Sequence, residues 1–231
     1  MPIILDTIAR WVLAPSQQKL LPLLEEFSST HFLAGGTAIA LQLWHRESID
    51  FDFFSRWSQW SFADFFTKIQ SLGFDVSDED KERYAGAEFV DQDEIHVTIN
   101  WVNVSLIDFS RTLYNYQEIR LEWTHQILGW LRVASLLELA CMKVYAMITR
   151  STWKDAVDLY FLLNHLGVAL ASVLDTAETI YYIRIFNRAA ILEQLISRKW
   201  DTTESVKYLI DKPPQDSYII DTLSQEALQI L

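Results

Sequence analysis

Two aspartates separated by one residue, Asp50 and Asp52, are the residues of this chain best suited to chemistry. They alternate with Phe51 and Phe53. In an extended strand successive side chains point to opposite faces, so the carboxylates share one face and the phenylalanines the other. Two carboxylates so placed can hold a pair of divalent cations that clamp the attacking and leaving oxygens of a phosphoryl displacement. Because Mg²⁺ prefers oxygen ligands, we predict a two-metal magnesium site at this pair.

A glycine turn lies shortly before the aspartates, at Gly35, Gly36 and Thr37. Glycine lets the backbone adopt positive φ and lets a phosphate approach main-chain N–H groups. Thr37 is suited to cap the helix indicated by the apolar residues of 38–44, whose N-terminus would then face a triphosphate. Each motif alone has a simpler interpretation, a tight turn or a solvated edge strand. Their order and separation together favour a site that binds a nucleoside triphosphate (NTP).

A second group of charged residues lies downstream, around Lys143, Arg150 and Lys154. If one helix ran through them, 100° per residue would place the three cations within about 40° of one another. A break at Ser151 would make their arrangement depend on packing. Taken alone, these charges are typical of a solvent-exposed face with an i,i+4 pair between Lys154 and Asp158.

Residues 33–55 resemble the N-terminal motif of the AbiEii-type nucleotidyltransferases, toxins of abortive-infection toxin–antitoxin pairs within the DNA polymerase β-like superfamily. The resemblance includes the lead-in of Arg46 and Ser48 before Asp50. Residues 132–160 are similar to the C-terminal signature of that family, a helical Lys, an Arg and a Lys-Asp-x-x-Asp-Leu run. Two ordered blocks are more specific than either alone, and the resemblance covers roughly residues 30–165.

The resemblance implies an α+β (mixed α/β) fold, the minimal nucleotidyltransferase fold, with a small mixed sheet and a helical C-terminal region. It also implies transfer of a nucleoside monophosphate (NMP) from an NTP to an acceptor hydroxyl. Magnesium would be held by Asp50 and Asp52, which are also catalytic. The other catalytic residues would be the charge-stabilising Lys143 and Lys154 and the orienting or basic Asp155 and Asp158. The nucleotide-binding residues would be Gly35, Gly36, Thr37, Arg46, Ser48 and Arg150.

One departure from the superfamily concerns the third carboxylate, which these enzymes usually draw from the next strand. By the resemblance that strand is residues 95–101, and Thr98 stands where Asp is expected. Glu94 or Asp108 is a substitute outside the expected place. If neither serves, the site lacks one metal ligand, and the chain is a degenerate enzyme or a non-catalytic nucleotide-binding or interaction protein of the same fold.

The acceptor and partners follow from the resemblance more than from composition. RNA, such as tRNA, is the first expectation, but Lys plus Arg number 19 against 31 Asp plus Glu, a net charge of −12. RNA-binding proteins usually show a basic face, so RNA would be held by a local patch. A protein side chain is the alternative acceptor. The toxin role, with a cognate antitoxin as partner, rests on the resemblance alone.

The remaining composition predicts a cytoplasmic protein with no membrane partner. Cys141 is the only cysteine, so disulfides play no part. The N-terminal residues lack a basic region ahead of an apolar one, and no apolar run approaches the roughly 18 residues needed to cross a bilayer.

Hydrophobic periodicity predicts the helices and strands that carry these residues. We expect a nucleotidyltransferase core over residues 1–130 and a helical region over 131–231 that completes the active site. Expected helices cover residues 3–13, 16–28, 38–44, 61–72, 135–150 and 152–165, and expected strands cover 31–33, 49–54, 84–90 and 95–101. The acidic runs 75–80 and 91–94 are expected to be solvated loops.

Overall fold

A computed structural model describes residues 11–55, 62–84, 94–108, 124–127, 129–181 and 186–231. They form two compact units: the first takes the described parts of 1–38, 48–117 and 124–134, and the second those of 39–47 and 135–231. The first unit contains the strands β1 (Phe32–Ala34), β2 (Phe51–Ser55), β3 (Glu94–Ile99), β4 (Val102–Asp108), β5 (Thr124–Ile127) and β6 (Leu131–Ala134). Its helices are α1 (Pro15–Gln18), α2 (Leu21–Phe27), the start of α3 (Gly35–Leu43), α4 (Phe62–Ser71) and α5 (Asp78–Tyr84).

The described strands form one mixed sheet in the order β3-β4-β2-β1-β6-β5. The neighbours β1 and β2 are antiparallel, whereas β2 and β4 run parallel, as do β1 and β6. A tight hairpin joins β3 to β4 through Asn100 and Trp101, both at positive φ (50° and 66°). Two positive-φ residues define the type I′ turn, whose twist matches that of the strands it connects.

The core of the first unit lies on one face of β2. Phe53 is fully buried, and its ring packs edge-on against Phe27 of α2 at a centroid distance of 5.6 Å. Phe65 of α4 stacks on the same Phe27 ring at 5.5 Å. Alternation along β2 then leaves Asp52, which is only partly buried, on the other face.

The helix α5 covers the free edge of β3. Tyr84 accepts a hydrogen bond from the His96 backbone N–H (3.0 Å) and donates one to its carbonyl (3.2 Å). Asp80, which is 4% exposed, accepts from the Thr98 N–H at 2.8 Å. Pairing edge N–H groups in this way removes a template for further strand addition. The sequence-based expectation that residues 75–80 form a solvated loop is therefore wrong for residues 78–80, which begin α5, and Asp80 is also buried.

The second unit is helical. Its helices are α6 (Leu136–Ala146), α7 (Trp153–Leu166), α8 (Leu170–Ile180), α9 (Arg188–Ser197) and α10 (Asp216–Leu228). Ser135 caps α6 by accepting from the Glu138 N–H. Gly167 ends α7 in the left-handed conformation (φ 64°) that favours glycine after a helix. Aliphatic side chains fill the interior, among them Leu139, Leu159, Val173, Leu192 and Leu223.

The α+β fold class with a mixed sheet is confirmed, and several boundaries differ from expectation. The expected helix 16–28 is two helices, because Pro22 in the first turn of α2 cannot continue a preceding helix. Tyr84 ends a helix rather than beginning a strand. The expected strand at 85–90, the acidic run before Glu94 and most of the helix 3–13 lie outside the described residues.

In the described part of the chain, no single helix is long and apolar enough to cross a membrane. The helices α7 and α8, bent by 105°, pass that test only as a pair.

Candidate active site

The carboxylates predicted from the sequence line a polar pocket of about 440 Å³ on the first unit. Its floor is the face of β2, β4 and β3 opposite the phenylalanine core, and α5 forms a side. We call it the carboxylate pocket. Its lining residues are Asp50, Asp52, Ser77, Glu79, Asp80, Arg83, His96, Val97, Thr98, Asn103, Val104 and Ser105.

The start of α3 meets Asp52 so closely that only glycine fits. Ala34, the last residue of β1, pairs with Asp52 in register, and Gly35 follows at a φ of 65°. A Cβ added to Gly35 would overlap the Asp52 carboxylate. Gly35 and Gly36 are partly exposed, and N–H groups in the first turn of a helix have no intrahelical partner. Backbone donors and a carboxylate therefore lie side by side.

Asp50 is held from two directions. Thr37 donates a hydrogen bond from its buried hydroxyl to the Asp50 carbonyl. Asn103 of β4 donates from its amide to Asp50 Oδ1 at 3.1 Å. Because α3 begins at Gly35, Thr37 is the third residue of the helix, and its expected role as the helix cap is wrong. It instead ties the first turn of α3 to the residue that leads into β2.

The strand beside β2 is β4, not β3, and this corrects the expected position of the third carboxylate. The residue opposite Asp52 in register is Ser105, and the side chain that bonds Asp50 is Asn103. Thr98 lies one strand further away, where its hydroxyl donates to Asn103 at 3.3 Å. Of the two substitutes, Glu94 contacts His96 on β3, and Asp108 pairs in register with Ser55.

The donor set of the pocket suits a hard divalent cation held by two carboxylates. Asp50 and Asp52 are partly exposed on one face, and oxygen donors are what Mg²⁺ prefers. Among the described residues, no group of three or more His, Cys, Asp or Glu side chains is placed to hold a metal ion. Two protein ligands leave room for waters and substrate phosphates, which usually complete a Mg²⁺ shell.

The second unit contains a buried ion network, made by His45, Arg46, Lys143, Arg150, Asp155 and Asp158. Asp158, which is 0% exposed, accepts from His45 Nε2 (2.7 Å) and from two nitrogens of Arg46 (2.6 Å each). Lys143 Nζ lies 2.7 Å from both Asp158 and Asp155. Arg150 Nε donates to Asp155 at 2.7 Å, and the Thr152 hydroxyl donates to the same carboxylate.

The cations of this network keep both aspartates ionised. Burial by itself raises the pKa of Asp155, but Lys143 and Arg150 outweigh it and lower the pKa to about 2. The same competition, with Lys143 and Arg46, holds the pKa of Asp158 well below its usual range. Burial opposes the charge of Lys143, yet the two aspartates raise its pKa. Burial lowers the pKa of His45 despite its bond to Asp158.

The structure brings together five of the predicted site residues in this network: Arg46, Lys143, Arg150, Asp155 and Asp158. The Arg46 guanidinium is buried and also bonds the Glu47 carbonyl at 2.8 Å. Arg150 joins through Asp155, and its side chain is 56% exposed. Lys154 instead pairs with Glu204 near the surface. Since α6 and α7 are separate helices, Lys143, Arg150 and Lys154 form no continuous cationic stripe. Ser48 is partly exposed between α3 and β2.

Sequence reasoning missed several polar residues of both sites. Asn103 and Ser105 belong to β4, whose alternation with the buried Val102, Val104 and Leu106 was a usable strand signal. His45 stands directly before Arg46, but no local pattern shows that its partner is Asp158. The burial of Asp80 likewise depends on a contact between α5 and β3.

The chain is similar to a family of known proteins. A family model described as "Nucleotidyl transferase AbiEii toxin, Type IV TA system" matches residues 23–200. The matched range contains both the carboxylate pocket and the ion network. No curated protein matches the chain.

Proposed function

The chain belongs to the AbiEii family of nucleotidyltransferase toxins, and on that premise we propose that the carboxylate pocket transfers an NMP from an NTP to an acceptor hydroxyl. Family membership supports a transferase with a role in a toxin–antitoxin pair. Magnesium dependence, the identity of the acceptor and the roles of individual residues are our proposals.

The observation that carries the proposal is the contact between the start of α3 and Asp52. An NTP site must bring phosphate oxygens close both to backbone donors and to a carboxylate that holds a cation. At Gly35 any Cβ would overlap the Asp52 carboxylate. Glycine here keeps the helix N-terminus and the carboxylate within reach of the same phosphate.

In this proposal Asp50 and Asp52 hold Mg²⁺, which when bound supplies charge neutralisation at the phosphates and orients the attacking oxygen. The N–H groups of Gly35 and Gly36 bind phosphate oxygens. Thr37 and Asn103 keep Asp50 in place, through its backbone and its carboxylate respectively. Little covalent chemistry falls to the protein, because positioning and electrostatics carry most phosphoryl transfer.

In the proposal the buried residues of the ion network have a structural role rather than a direct role in binding metal or phosphate. Lys143, Asp155 and Asp158 bond one another in the interior, so we assign them and Arg46 the task of fixing charge and local structure in the second unit. Arg150 and Lys154 reach solvent, at 56% and 27% side-chain exposure, so they are the predicted cations of the second unit that a dissolved phosphate can reach.

For the acceptor we propose RNA, with tRNA first, and a protein hydroxyl second. The protein acceptor is favoured by the negative charge of the pocket lining, which is unfavourable for a polyanion such as RNA. This charge comes from Asp50, Asp52, Glu79 and Asp80. The family description suggests an antitoxin as partner. Incubation with each labelled NTP, in the presence of total RNA or of cellular protein, distinguishes the acceptors by where the label appears.

The metal assignment predicts the behaviour of Asp52→Asn. Loss of one ligand charge should remove Mg²⁺-dependent NTP binding with little effect on unfolding, because Asp52 lies on the polar face of β2. Calorimetry with and without Mg²⁺ measures this. The control is Asp78→Asn, which makes the same charge change outside the pocket lining and should bind NTP as wild type does. Wild-type metal dependence in Asp52→Asn would refute the assignment.

A further inference from the structure

Three polar residues form a row across neighbouring strands on the floor of the carboxylate pocket. Ser105 of β4 pairs in register with Asp52 of β2 on one side and with His96 of β3 on the other. Register partners on adjacent strands present their side chains on the same face. A hydroxyl therefore lies between the proposed metal-binding carboxylate and an imidazole.

The hydrogen bonds of His96 fix its tautomer. Nε2 lies 3.0 Å from Glu94 Oε2, and an ionised carboxylate can only accept, so Nε2 carries a proton. In the neutral ring Nδ1 is then the acceptor, and Ser105 Oγ, 3.0 Å away, donates to it. Acid, imidazole and hydroxyl in this order are the arrangement that activates a serine nucleophile. His96 and Glu94 are 52% and 51% exposed, so the group is accessible from solvent.

The charge of the pocket favours an acceptor that belongs to the protein. Its described lining carries four carboxylates, from Asp50, Asp52, Glu79 and Asp80, against the guanidinium of Arg83. Arg83 itself lies 3.3 Å from Asp80. Such a lining offers few cations to the phosphate backbone of an RNA acceptor, whereas a neutral hydroxyl already lies beside Asp52.

From these observations we infer that Ser105 is an acceptor in its own right, and that the protein nucleotidylates itself there. The inference rests on the proposed function, since it uses the same NTP site. Ser105 Oγ forms a bond to the α-phosphorus of the NTP, the bond from that phosphorus to the bridging oxygen breaks, and pyrophosphate leaves. The Ser105 proton passes to His96 Nδ1, and Glu94 stabilises the resulting imidazolium.

Self-modification would limit the activity of the pocket. The product is a phosphodiester at Ser105 that carries a nucleoside, and it would occupy the floor beside Asp52. We expect modified protein to bind NTP more weakly than unmodified protein. The same hydroxyl thus serves as an acceptor and as a means of switching the site off.

The test uses the full-length chain with each of the four NTPs and Mg²⁺ or Mn²⁺, without added RNA. Intact-mass measurement should show a gain of one NMP, and peptide mapping should place it on Ser105. Ser105→Ala should lose the adduct, and His96→Gln should slow its formation by about 100-fold, within the range for removal of a general base. The matched control is Ser71→Ala: Ser71 lies on α4 outside the pocket lining, and its hydroxyl bonds the Lys68 carbonyl rather than an imidazole, so this variant should be labelled at the wild-type rate.

A second measurement needs neither metal nor nucleotide. A fluorophosphonate probe reacts with activated serines, and it should modify Ser105 in the wild type much faster than in His96→Gln. Equal rates in the two proteins would overturn the activation of Ser105 by His96.

An unlabelled Ser105 after incubation with every NTP would overturn the inference. If wild type then transfers the label to RNA or to another protein, the proposed function stands without self-modification. If nothing is labelled and Asp52→Asn binds NTP as wild type does, the proposed function fails as well.

Discussion

At the scale of single residues, Gly35 combines two constraints that the sequence does not distinguish. Its φ of 65° lies in the left-handed region, and the space where a Cβ would go is taken by the Asp52 carboxylate. Gly73, at a φ of 78°, meets the first constraint alone, because nothing lies within 4 Å of its Cβ position. Alanine variants at these two glycines therefore separate the effect of backbone strain from the effect of displacing the Asp52 carboxylate.

We predict that Gly35→Ala and Gly73→Ala share a similar cost of backbone strain but differ in binding. Each should lower the free energy of unfolding by about 1 to 2 kcal/mol from left-handed strain. Only Gly35→Ala should also weaken Mg²⁺-dependent NTP binding, by about tenfold or more, because it moves Asp52. Urea unfolding and calorimetry measure the two effects. Equal NTP affinity in both variants would show that the close contact at Asp52 is not needed for binding.

At the scale of elements, the ion network joins α6 to α7. Lys143 of α6 bridges Asp155 and Asp158 of α7, and the helices also share a hydrophobic interior. Lys154, one residue before Asp155, pairs instead with the exposed Glu204. Two lysines from one sequence signature therefore have opposite environments.

This contrast predicts different costs for the same substitution. Lys143→Met leaves two buried carboxylates short of a cation and should lower the free energy of unfolding by about 3 to 5 kcal/mol. Lys154→Met removes a surface pair and should cost about 0 to 1 kcal/mol. Urea unfolding measures both. A loss below about 1 kcal/mol for Lys143→Met would contradict a stabilising role for the network.

At the scale of the whole molecule, the network should shape stability against pH. The pKa of Asp155 is lowered to about 2, so its contribution is present above its unfolded value of about 4 and is lost as pH falls from about 4 towards 2. The pKa of Lys143 is raised, so its contribution is present below about 10.4 and is lost as pH rises through the folded value.

We therefore predict stability losses at both ends of the pH range, with an acid limb of about 2 kcal/mol from Asp155 alone. Urea unfolding from pH 2 to 11 measures the profile. Asp155→Asn, which cannot titrate, should be less stable near neutral pH and should show a shallower acid limb. An identical slope below pH 4 in wild type and variant would assign that limb to other carboxylates.

Local sequence patterns were sufficient to recognise the family, and they gave the prediction that Asp50 and Asp52 are site residues. The Asp-x-Asp alternation, the glycines before it and the Lys-Asp-x-x-Asp-Leu run are local patterns, and the family match over residues 23–200 confirms the family that they indicated. Local signals also predicted β1, β2, β3 and the end of α7 at Gly167. Periodicity and turn chemistry depend on neighbours in the chain, so they can be read without the fold.

The order of the strands in the sheet, by contrast, became known from the tertiary structure. The placement of β4 beside β2 moved the third-carboxylate position from Thr98 to Asn103 and Ser105. The burial of Asp80 and the pairing of Arg46 with Asp158 likewise join segments distant in sequence. Such contacts depend on the order of strands and the packing of helices, and because the chain's local patterns are compatible with more than one order, the sequence alone could not choose between them.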